Sequence, residues 1–93
     1  MDIEYSGQFK KDVKIAEKRN KDMEKLKSLL RLMIESDYFN NPKLQEEYKD
    51  HSLKGKWKGY RDAHIEPDWI LIYKTDKKIL RFERIGSHSD LFK

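Results

Sequence analysis

The chain has 93 residues, a formal net charge of +4 and 41% charged side chains, and it contains no cysteine. This length fits a single domain over residues 1–93 with one modest core. The lack of cysteine excludes disulfides, thiolate nucleophiles and cysteine-type zinc sites. No apolar run is long enough to cross a bilayer, and the first residues lack the pattern of a secretory leader. We therefore expect a cytoplasmic protein with no membrane partner.

Two helices are predicted in the N-terminal half, after a short strand over Asp2–Tyr5. Ser6 is suited to cap the first helix, whose apolar residues share one face: Phe9, Val13 and Ala16. The second helix also has an apolar stripe at helical spacing, formed by Met23, Leu26, Leu30 and Met33 and widened by Leu29 and Ile34. The short link between the two helices predicts a helical hairpin.

The C-terminal half changes to the two-residue period of β-strands. Asn40, Asn41 and Pro42 break the helical pattern, and Lys43–Asp50 is predicted to be a loop or a helical turn. Residues 69–73 and 79–85 have the composition of strands, with turns at Glu66-Pro67-Asp68 and at Lys77-Lys78. The predicted fold class is therefore α+β. A short N-terminal strand and a helical hairpin precede a three- to four-stranded antiparallel meander, with the helices packed on the sheet.

All of the net positive charge lies in residues 51–93, which hold 10 basic and 6 acidic side chains. Leu53–Arg61 reads LKGKWKGYR, with four cations, no anion and two interleaved aromatics. If this segment is extended, Lys54, Lys56 and Lys58 share one face, with Arg61 at its end. Such a strand suits phosphates and unstacked bases. A solvated edge strand whose lysines prevent aggregation explains the same residues, and both interpretations remain open.

The residues best suited to acid–base chemistry lie in the same half: His51, His64 and His88, with Asp68 and Arg84. Histidine both accepts and donates a proton near neutral pH, so convergence of this set predicts an acid–base site. Each histidine taken singly is more often exposed or structural, so the prediction depends on the set.

The last long strand indicates where two of these residues lie. By the two-residue period, Arg84 shares a face with Leu80 and Phe82, which places it at the mouth of the core face. Gly86 allows the chain to turn after the strand and to bring His88 and Arg84 towards one cleft.

No metal ion or other cofactor is expected. No two histidines lie at the close helical or hairpin interval that preorganises a zinc site, and the surrounding positive charge opposes a dication. A serine triad is disfavoured because Ser87 and Ser89 flank His88 directly, and there is no phosphate-binding or dinucleotide-binding glycine pattern. A metal-free His/Arg/Asp site beside a basic surface can cleave RNA through its own 2′-hydroxyl, a route closed to DNA.

Two long motifs give the chain a family resemblance. DHSLKGKWKGYRDAHIEPDWILIYK and LRFERIGSHSDLF closely resemble the YafQ toxins of the RelE/ParE superfamily. DIEYSGQFKKDVK and KRNKDMEKLK resemble the first strand and helices of the same family. The resemblance implies a RelE-like fold and the toxin of a type II toxin–antitoxin system, a ribosome-dependent mRNA endoribonuclease that inhibits translation. It implies as partners a cognate antitoxin, the ribosome with translated mRNA, and operator DNA through the antitoxin complex.

The family's functional positions fall by motif on His51, His64, Asp68, Arg84, His88 and Phe92. On this assignment His88 is the acid or base nearest the scissile phosphate, and Arg84 stabilises the phosphorane. His64 and Asp68 make or orient the opposite proton transfer, while His51 positions phosphate or shares the base role. Phe92 either stacks on a base or packs into the core. An Asp90 carboxylate near His88 would favour the imidazolium and hence an acid role.

Two other function classes fit parts of the sequence. A member of the superfamily can poison gyrase without ribonuclease activity, although that function leaves the His/Asp/Arg set unexplained. A non-catalytic nucleic-acid-binding or co-repressor module explains the basic segment and makes the histidines incidental.

Overall fold

The computed structural model describes residues 2–35, 41–76 and 78–92, and its elements follow the predicted order. The N-terminal half holds β1 (Asp2–Tyr5), α1 (Gly7–Lys18), α2 (Met23–Glu35) and α3 (Pro42–Glu46). The C-terminal half holds β2 (His51–Ser52), a 3₁₀ turn (Gly55–Trp57), β3 (Arg61–Glu66), β4 (Trp69–Thr75), β5 (Ile79–Gly86) and α4 (His88–Leu91). The predicted break at Asn40 and the Lys77 half of the predicted turn lie outside the described residues.

The described strands form one sheet in the order β1-β5-β4-β3-β2. β3, β4 and β5 are the predicted antiparallel meander. β1 extends the sheet beside β5 and runs parallel to it, with Asp2 opposite Ile79 and Tyr5 opposite Phe82. β2 adds two residues to the far edge, antiparallel to β3. The α+β prediction is confirmed, with one further strand on each side of the meander.

The helices pack on one face of the sheet, as their apolar stripes predict. Ser6 caps α1 because its Oγ accepts a hydrogen bond from the Phe9 N–H at 2.8 Å. α1 buries Phe9 and Ala16, and α2 buries Leu26, Leu29 and Met33. Ile34 is 41% exposed, so its predicted place in the stripe is wrong. It follows Met33 by one residue, a rotation of roughly 100° away from the core. None of the described helices has both the length and the apolar character needed to span a bilayer.

A bulge in β5 decides which face of the sheet carries Arg84. The register pairs Tyr73 with Phe82 but Ile72 with Arg84, which leaves one extra residue in β5. Because cross-strand partners share a face, Arg84 leaves the face of Phe82 and joins that of Ile72. The expectation that Arg84 shares a face with Leu80 and Phe82 is therefore wrong.

The opposite face of the sheet carries a smaller apolar cluster. Ile70, Ile72 and Leu91 are buried in it, with Leu53, Trp57, Tyr60 and Phe92 packed around them. This cluster anchors α4 to the sheet and places the end of the chain beside the strands that carry the histidines.

The basic segment is not a strand. Gly55 and Gly59 have φ values of +67° and +94°, which interrupt an extended backbone, and the 3₁₀ turn lies between Lys54 and Lys58. The prediction that Lys54, Lys56 and Lys58 share one strand face is therefore wrong, although all three side chains are exposed.

Candidate active site

The pairing of β2 with β3 brings two histidines together. His51 lies opposite Asp62, and His64 follows Asp62 by two residues on the same face. β4 separates β3 from the end of β5, where Gly86 leads into α4 and its first residue, His88. Segments distant in the chain therefore meet at one end of the sheet.

The aromatic rings of this region form a row. The ring centroids are 6.3 Å apart for His51 and His64, and 5.7 Å apart for His64 and His88. Phe92 continues the row, with its ring centroid 6.0 Å from that of His88. The three histidines proposed from the sequence thus lie side by side, with an aromatic ring at one end.

Asp68 holds His88 through two hydrogen bonds. Its Oδ1 lies 2.6 Å from the His88 Nδ1 and 2.8 Å from the His88 backbone nitrogen. The bond from the backbone N–H, followed by the bond from the imidazole, lowers the pKa of Asp68. An ionised carboxylate accepts the Nδ1 proton, which leaves Nε2 as the ring nitrogen that faces a substrate.

Asp90 has a structural role at the start of α4. The Ser87 N–H donates to its Oδ2 at 3.0 Å, and the Asp90 N–H donates to the Ser87 Oγ at 3.1 Å. Arg19 also donates to Oδ2 at 3.0 Å. The bond from the Ser87 N–H is the main cause that lowers the pKa of Asp90. The carboxylate that contacts His88 is therefore Asp68, in place of the Asp90 considered from the sequence.

Arg84 forms hydrogen bonds with Asp12 in α1. Its Nε and Nη2 each lie 3.1 Å from a carboxylate oxygen of Asp12, and the hydrogen bond raises the pKa of Arg84. The Ile85 N–H also donates to Asp12, at 3.2 Å. Arg84 and Asp68 line the same cleft of about 550 Å³ between α1 and the start of α4.

Asp62 was not predicted from the sequence. It is a buried carboxylate that lies between His51 and His64. Its Oδ1 lies 2.9 Å from the His51 Nδ1, and its Oδ2 lies 3.9 Å from the His64 Nε2. Burial is the main cause that raises the pKa of Asp62, against the opposing effect of the histidines. The His51 Nδ1 aligns instead with the Lys49 carbonyl at 3.0 Å, so Oδ1 receives no hydrogen bond from the described residues. The two-residue period of β3, which puts Asp62 on the face of His64, was the available signal.

These side chains also bear on the expected absence of a metal site. One ligand atom each from His51, Asp62 and His64 lie within 4.8 Å of one another. The sequence reasoning found no pair of histidines at a preorganising interval, but the β2–β3 pairing brings His51 and His64 together. That premise for excluding a metal ion is therefore wrong.

Comparison with known proteins identifies the family. The family model described as "Bacterial toxin of type II toxin-antitoxin system, YafQ" matches residues 1–93. The chain belongs to the YafQ toxin family. The mRNA interferase toxin YafQ of Escherichia coli strain K12 is 64% identical over 91 residues, which cover 98% of this chain and 95% of that protein.

Two solved YafQ structures share the fold. The crystal structure of YafQ from E. coli strain BL21(DE3) has a TM-score of 0.89 and 62% identity, with 99% of this chain and 98% of that chain covered. YafQ in the E. coli DinJ–YafQ complex has a TM-score of 0.86 at 62% identity, with coverage of 99% and 98%. The resemblance to YafQ toxins and the fold that it implied are confirmed.

Within this YafQ chain, Arg61 is tied to a buried network. The Asp50 carboxylate accepts from the Arg61 Nε at 2.7 Å and from the Tyr73 hydroxyl. Burial, followed by the bond to Asp50, raises the pKa of Tyr73 well above its usual range. Arg61 therefore holds the α3–β2 segment against β3 and β4, a structural role that its basic charge did not reveal.

Among the described residues, Lys54, Lys56 and Lys58 lack a carboxylate partner of the kind that Asp50 provides for Arg61. Within the described parts of this YafQ chain, none of the three forms an ion pair, and all are exposed. They lie in and around the 3₁₀ turn between β2 and β3, and β2 begins at His51. Of the basic residues selected from the sequence, these three remain available for a phosphate.

Proposed function

We propose that this chain is the toxin of a type II toxin–antitoxin pair and an endoribonuclease that cleaves mRNA on the ribosome. The cleavage is acid–base catalysis through the RNA 2′-hydroxyl and needs no metal ion. The observation that carries the proposal is the Asp68–His88 pair, with the His64 ring 5.7 Å from that of His88. Two neighbouring imidazoles supply the base and the acid that such a reaction requires.

The geometry of the pair favours His88 as the acid. Asp68 accepts a hydrogen bond from the His88 Nδ1–H, which leaves Nε2 facing the substrate. When the ring carries a second proton, that proton is on Nε2 and is delivered to the departing 5′-oxygen. His64 is then the base for the 2′-hydroxyl, and His51 shares that role or positions the phosphate. The carboxylate fixes the orientation of the acid.

Charge on the phosphorane is stabilised by basic side chains. The two bonds to Asp12 leave Arg84 with three of the five N–H groups of a guanidinium for this purpose. Lys54, Lys56, Lys58 and Arg61 are proposed to contact the RNA backbone, with Arg61 the least available because of Asp50. Phe92, beside His88, is proposed to stack on a base next to the cut.

The partners follow from the family. E. coli YafQ was crystallised in a complex with DinJ, and we propose a cognate antitoxin for this chain as well. The substrate is proposed to be mRNA in a translating ribosome, which places the protein in the cytoplasm. Operator DNA is proposed to be bound through the antitoxin complex.

Primer extension on a defined mRNA in a reconstituted translating complex tests the proposal. Wild type is expected to cut in frame, and His88→Ala is expected to lose about two to four orders of magnitude in rate because it lacks the acid. Ser89→Ala, an exposed neighbour in α4, is the matched control and should cut like wild type. A 2′-deoxy nucleotide at the cut position should abolish cleavage by wild type. Equal cutting by the wild type and His88→Ala would overturn the assigned acid, and cutting of the deoxy substrate would overturn the route.

A further inference from the structure

We propose that Asp12 on α1 is a positioning residue for RNA cleavage. It holds the Arg84 guanidinium so that the edge formed by Nη1 and the second N–H of Nη2 meets the phosphorane. Asp12, Arg84 and Asp68 line the same cleft, in which Arg84 contacts the substrate and Asp12 acts through Arg84. The inference rests on the proposed function, because the stabilisation of the phosphorane by Arg84 is part of that proposal.

Asp12 is a carboxylate on the buried face of α1. Phe9, Asp12 and Ala16 are the buried residues of this helix, and helical spacing puts all three on one face. The side chain of Asp12 is 4% exposed. An ionised carboxylate at such a position has lost its hydration, so several hydrogen-bond donors are needed to offset the cost. The donors around Asp12 therefore indicate which group the carboxylate serves.

Asp12 lies beside an edge of β5 that β1 does not cover. The pairing of β1 with β5 ends at Tyr5 opposite Phe82, and α1 begins two residues after Tyr5. Further along this edge, the Ile85 N–H donates to the Asp12 Oδ2 at 3.2 Å. Asp12 thus binds the backbone where a neighbouring strand would otherwise pair, and it fixes the residue next to Arg84.

Two further bonds fix the orientation of the Arg84 guanidinium. Its Nε donates to the Asp12 Oδ2 and its Nη2 donates to Oδ1, each at 3.1 Å. A pair of parallel bonds to one carboxylate defines the orientation of the planar group. The edge with Nε faces Asp12, so the edge with Nη1 and the second N–H of Nη2 is turned away from it. Two N–H groups on that edge suit the two non-bridging oxygens of a phosphorane.

Gln8 provides the comparison that isolates these bonds. Its Nε2 donates to the Asp12 Oδ1 at 3.0 Å from one turn earlier in α1. This bond is local to the helix and involves neither Arg84 nor β5. A carboxylate that only fastened α1 to β5 would change the amount of folded toxin, whereas a positioning residue changes the cleavage rate of the folded toxin.

The first experiment measures single-turnover cleavage in the translating complex over a range of toxin concentrations. An amide has one oxygen, so Asp12→Asn can keep only one of the two bonds to Arg84. Its rate at saturating toxin should fall by about ten- to a hundredfold, with the half-saturating concentration unchanged. Gln8→Ala is the matched control and should cut like wild type. A raised half-saturating concentration with a wild-type saturating rate would mean a structural role only and would overturn the proposal.

A double-mutant cycle tests whether Asp12 acts through Arg84. Arg84→Ala should lower the saturating rate by about two to three orders of magnitude, and adding Asp12→Asn should cause no further loss. A wild-type rate in Arg84→Ala, or a further loss as large as that of Asp12→Asn alone, overturns the proposal.

Asp12→Glu carries the same tests if Asp12→Asn does not fold. It keeps the charge and both oxygens but adds one methylene, which displaces the guanidinium. Its saturating rate should fall about tenfold in the presence of Arg84 and not at all in Arg84→Ala. A wild-type rate in Asp12→Glu overturns the positioning role.

Nuclear magnetic resonance follows the guanidinium without any cleavage. The Arg84 Nε–H signal of ¹⁵N-labelled toxin, assigned by its absence from Arg84→Ala, should exchange slowly with solvent in wild type and in Gln8→Ala. It should exchange fast in Asp12→Asn. Fast exchange in wild type overturns the proposal. If wild type cleaves no mRNA while Asp12 protects this N–H, the proposed function fails and the orientation of Arg84 by Asp12 stands.

Discussion

At the scale of single residues, the two carboxylates beside the histidines differ in exposure and in the direction of their pKa shifts. Asp68 is exposed, and hydrogen bonds from His88 lower its pKa. Asp62 is buried, and burial raises its pKa. An exposed carboxylate keeps most of its hydration, so it can orient a hydrogen-bonded partner at little cost to folding stability. A buried ionised carboxylate has lost its hydration, which lowers the free energy of unfolding. The two residues therefore predict different effects when they are replaced.

Replacing Asp62 by Asn should raise stability and lower activity. The neutral amide is less costly to bury than an ionised carboxylate, so the free energy of unfolding should rise by about 1–2 kcal/mol. The cleavage rate should fall about tenfold, because the negative charge that lies between His51 and His64 is removed. Chemical denaturation at about pH 8, above the ordinary histidine range, isolates the charge effect. Asp2→Asn, the same change at an exposed strand position, should alter neither quantity. A less stable Asp62→Asn would show that its ion pairs outweigh its burial.

Replacing Asp68 by Ala should affect activity more than stability. The imidazole of His88 loses the acceptor of its Nδ1 proton, so the cleavage rate should fall by about two orders of magnitude. Both side chains are more than half exposed, so the melting temperature should change little. Asp76→Ala is the control, because Asp76 is an exposed turn carboxylate that accepts backbone N–H bonds from Lys78 and Ile79. If the two variants cleave RNA equally fast, Asp68 does not position the acid.

The sequence specified the three histidines and Asp68 but not how they are connected. Spacing placed Asp90 beside His88, yet a carboxylate two residues along a short helix turns back to cap it, and the turn before β4 supplies Asp68 instead. Asp62 was missed because a single acidic residue in a strand has no pattern of its own. Its importance appears only when the β2–β3 register sets it against His51.

At the scale of elements, regular periodicity was predictable and its interruptions were not. The stripes of α1 and α2 and the long apolar run of β4 are patterns of several residues, so the sequence located all three. The β5 bulge is one extra residue and leaves no pattern, although it moves Arg84 to the other face. β2 has two residues, too few for a period, and its strand character arises from pairing with β3.

The junction between β5 and α4 is the element-scale feature that positions His88. A Cβ added at Gly86 would lie 2.9 Å from the Asp90 Cβ and 3.3 Å from the Leu91 Cδ2, so α4 would have to move. Gly86→Ala should therefore destabilise the fold by about 1–3 kcal/mol and lower the cleavage rate of the remaining folded protein. Gly7→Ala is the matched control, since its Cβ meets nothing within 4 Å and it lies in the first turn of α1. It should be neutral or slightly stabilising. Wild-type cleavage and stability in Gly86→Ala would show that α4 tolerates displacement.

At the scale of the whole molecule, acidic groups tie the helices and turns to the sheet. Glu66 at the end of β3 accepts from Lys21 at 2.8 Å and from Lys25 at 3.0 Å, which links the sheet to the α1–α2 connection and to α2. Among the described residues, hydrogen bonds lower the pKa values of four carboxylates: Glu66, Asp68, Asp76 and Asp90. Protonation of Glu66, Asp68 or Asp90 weakens contacts between distant segments, whereas protonation of Asp76 weakens the turn between β4 and β5.

Stability should therefore fall on acidification. A carboxylate with a pKa below its unfolded value contributes stability above about pH 4, and this contribution is lost as the pH falls through the folded-state pKa. Urea unfolding at pH values from about 7 to about 3 should show a steep loss at the acid end. Glu66→Gln should reduce that loss, because its lysine bonds no longer depend on protonation of a carboxylate. Glu46→Gln in α3, an exposed glutamate outside the described ion pairs, should follow wild type. Parallel pH curves for Glu66→Gln and wild type would mean that the Lys21–Glu66–Lys25 contacts add nothing to the acid sensitivity of the fold.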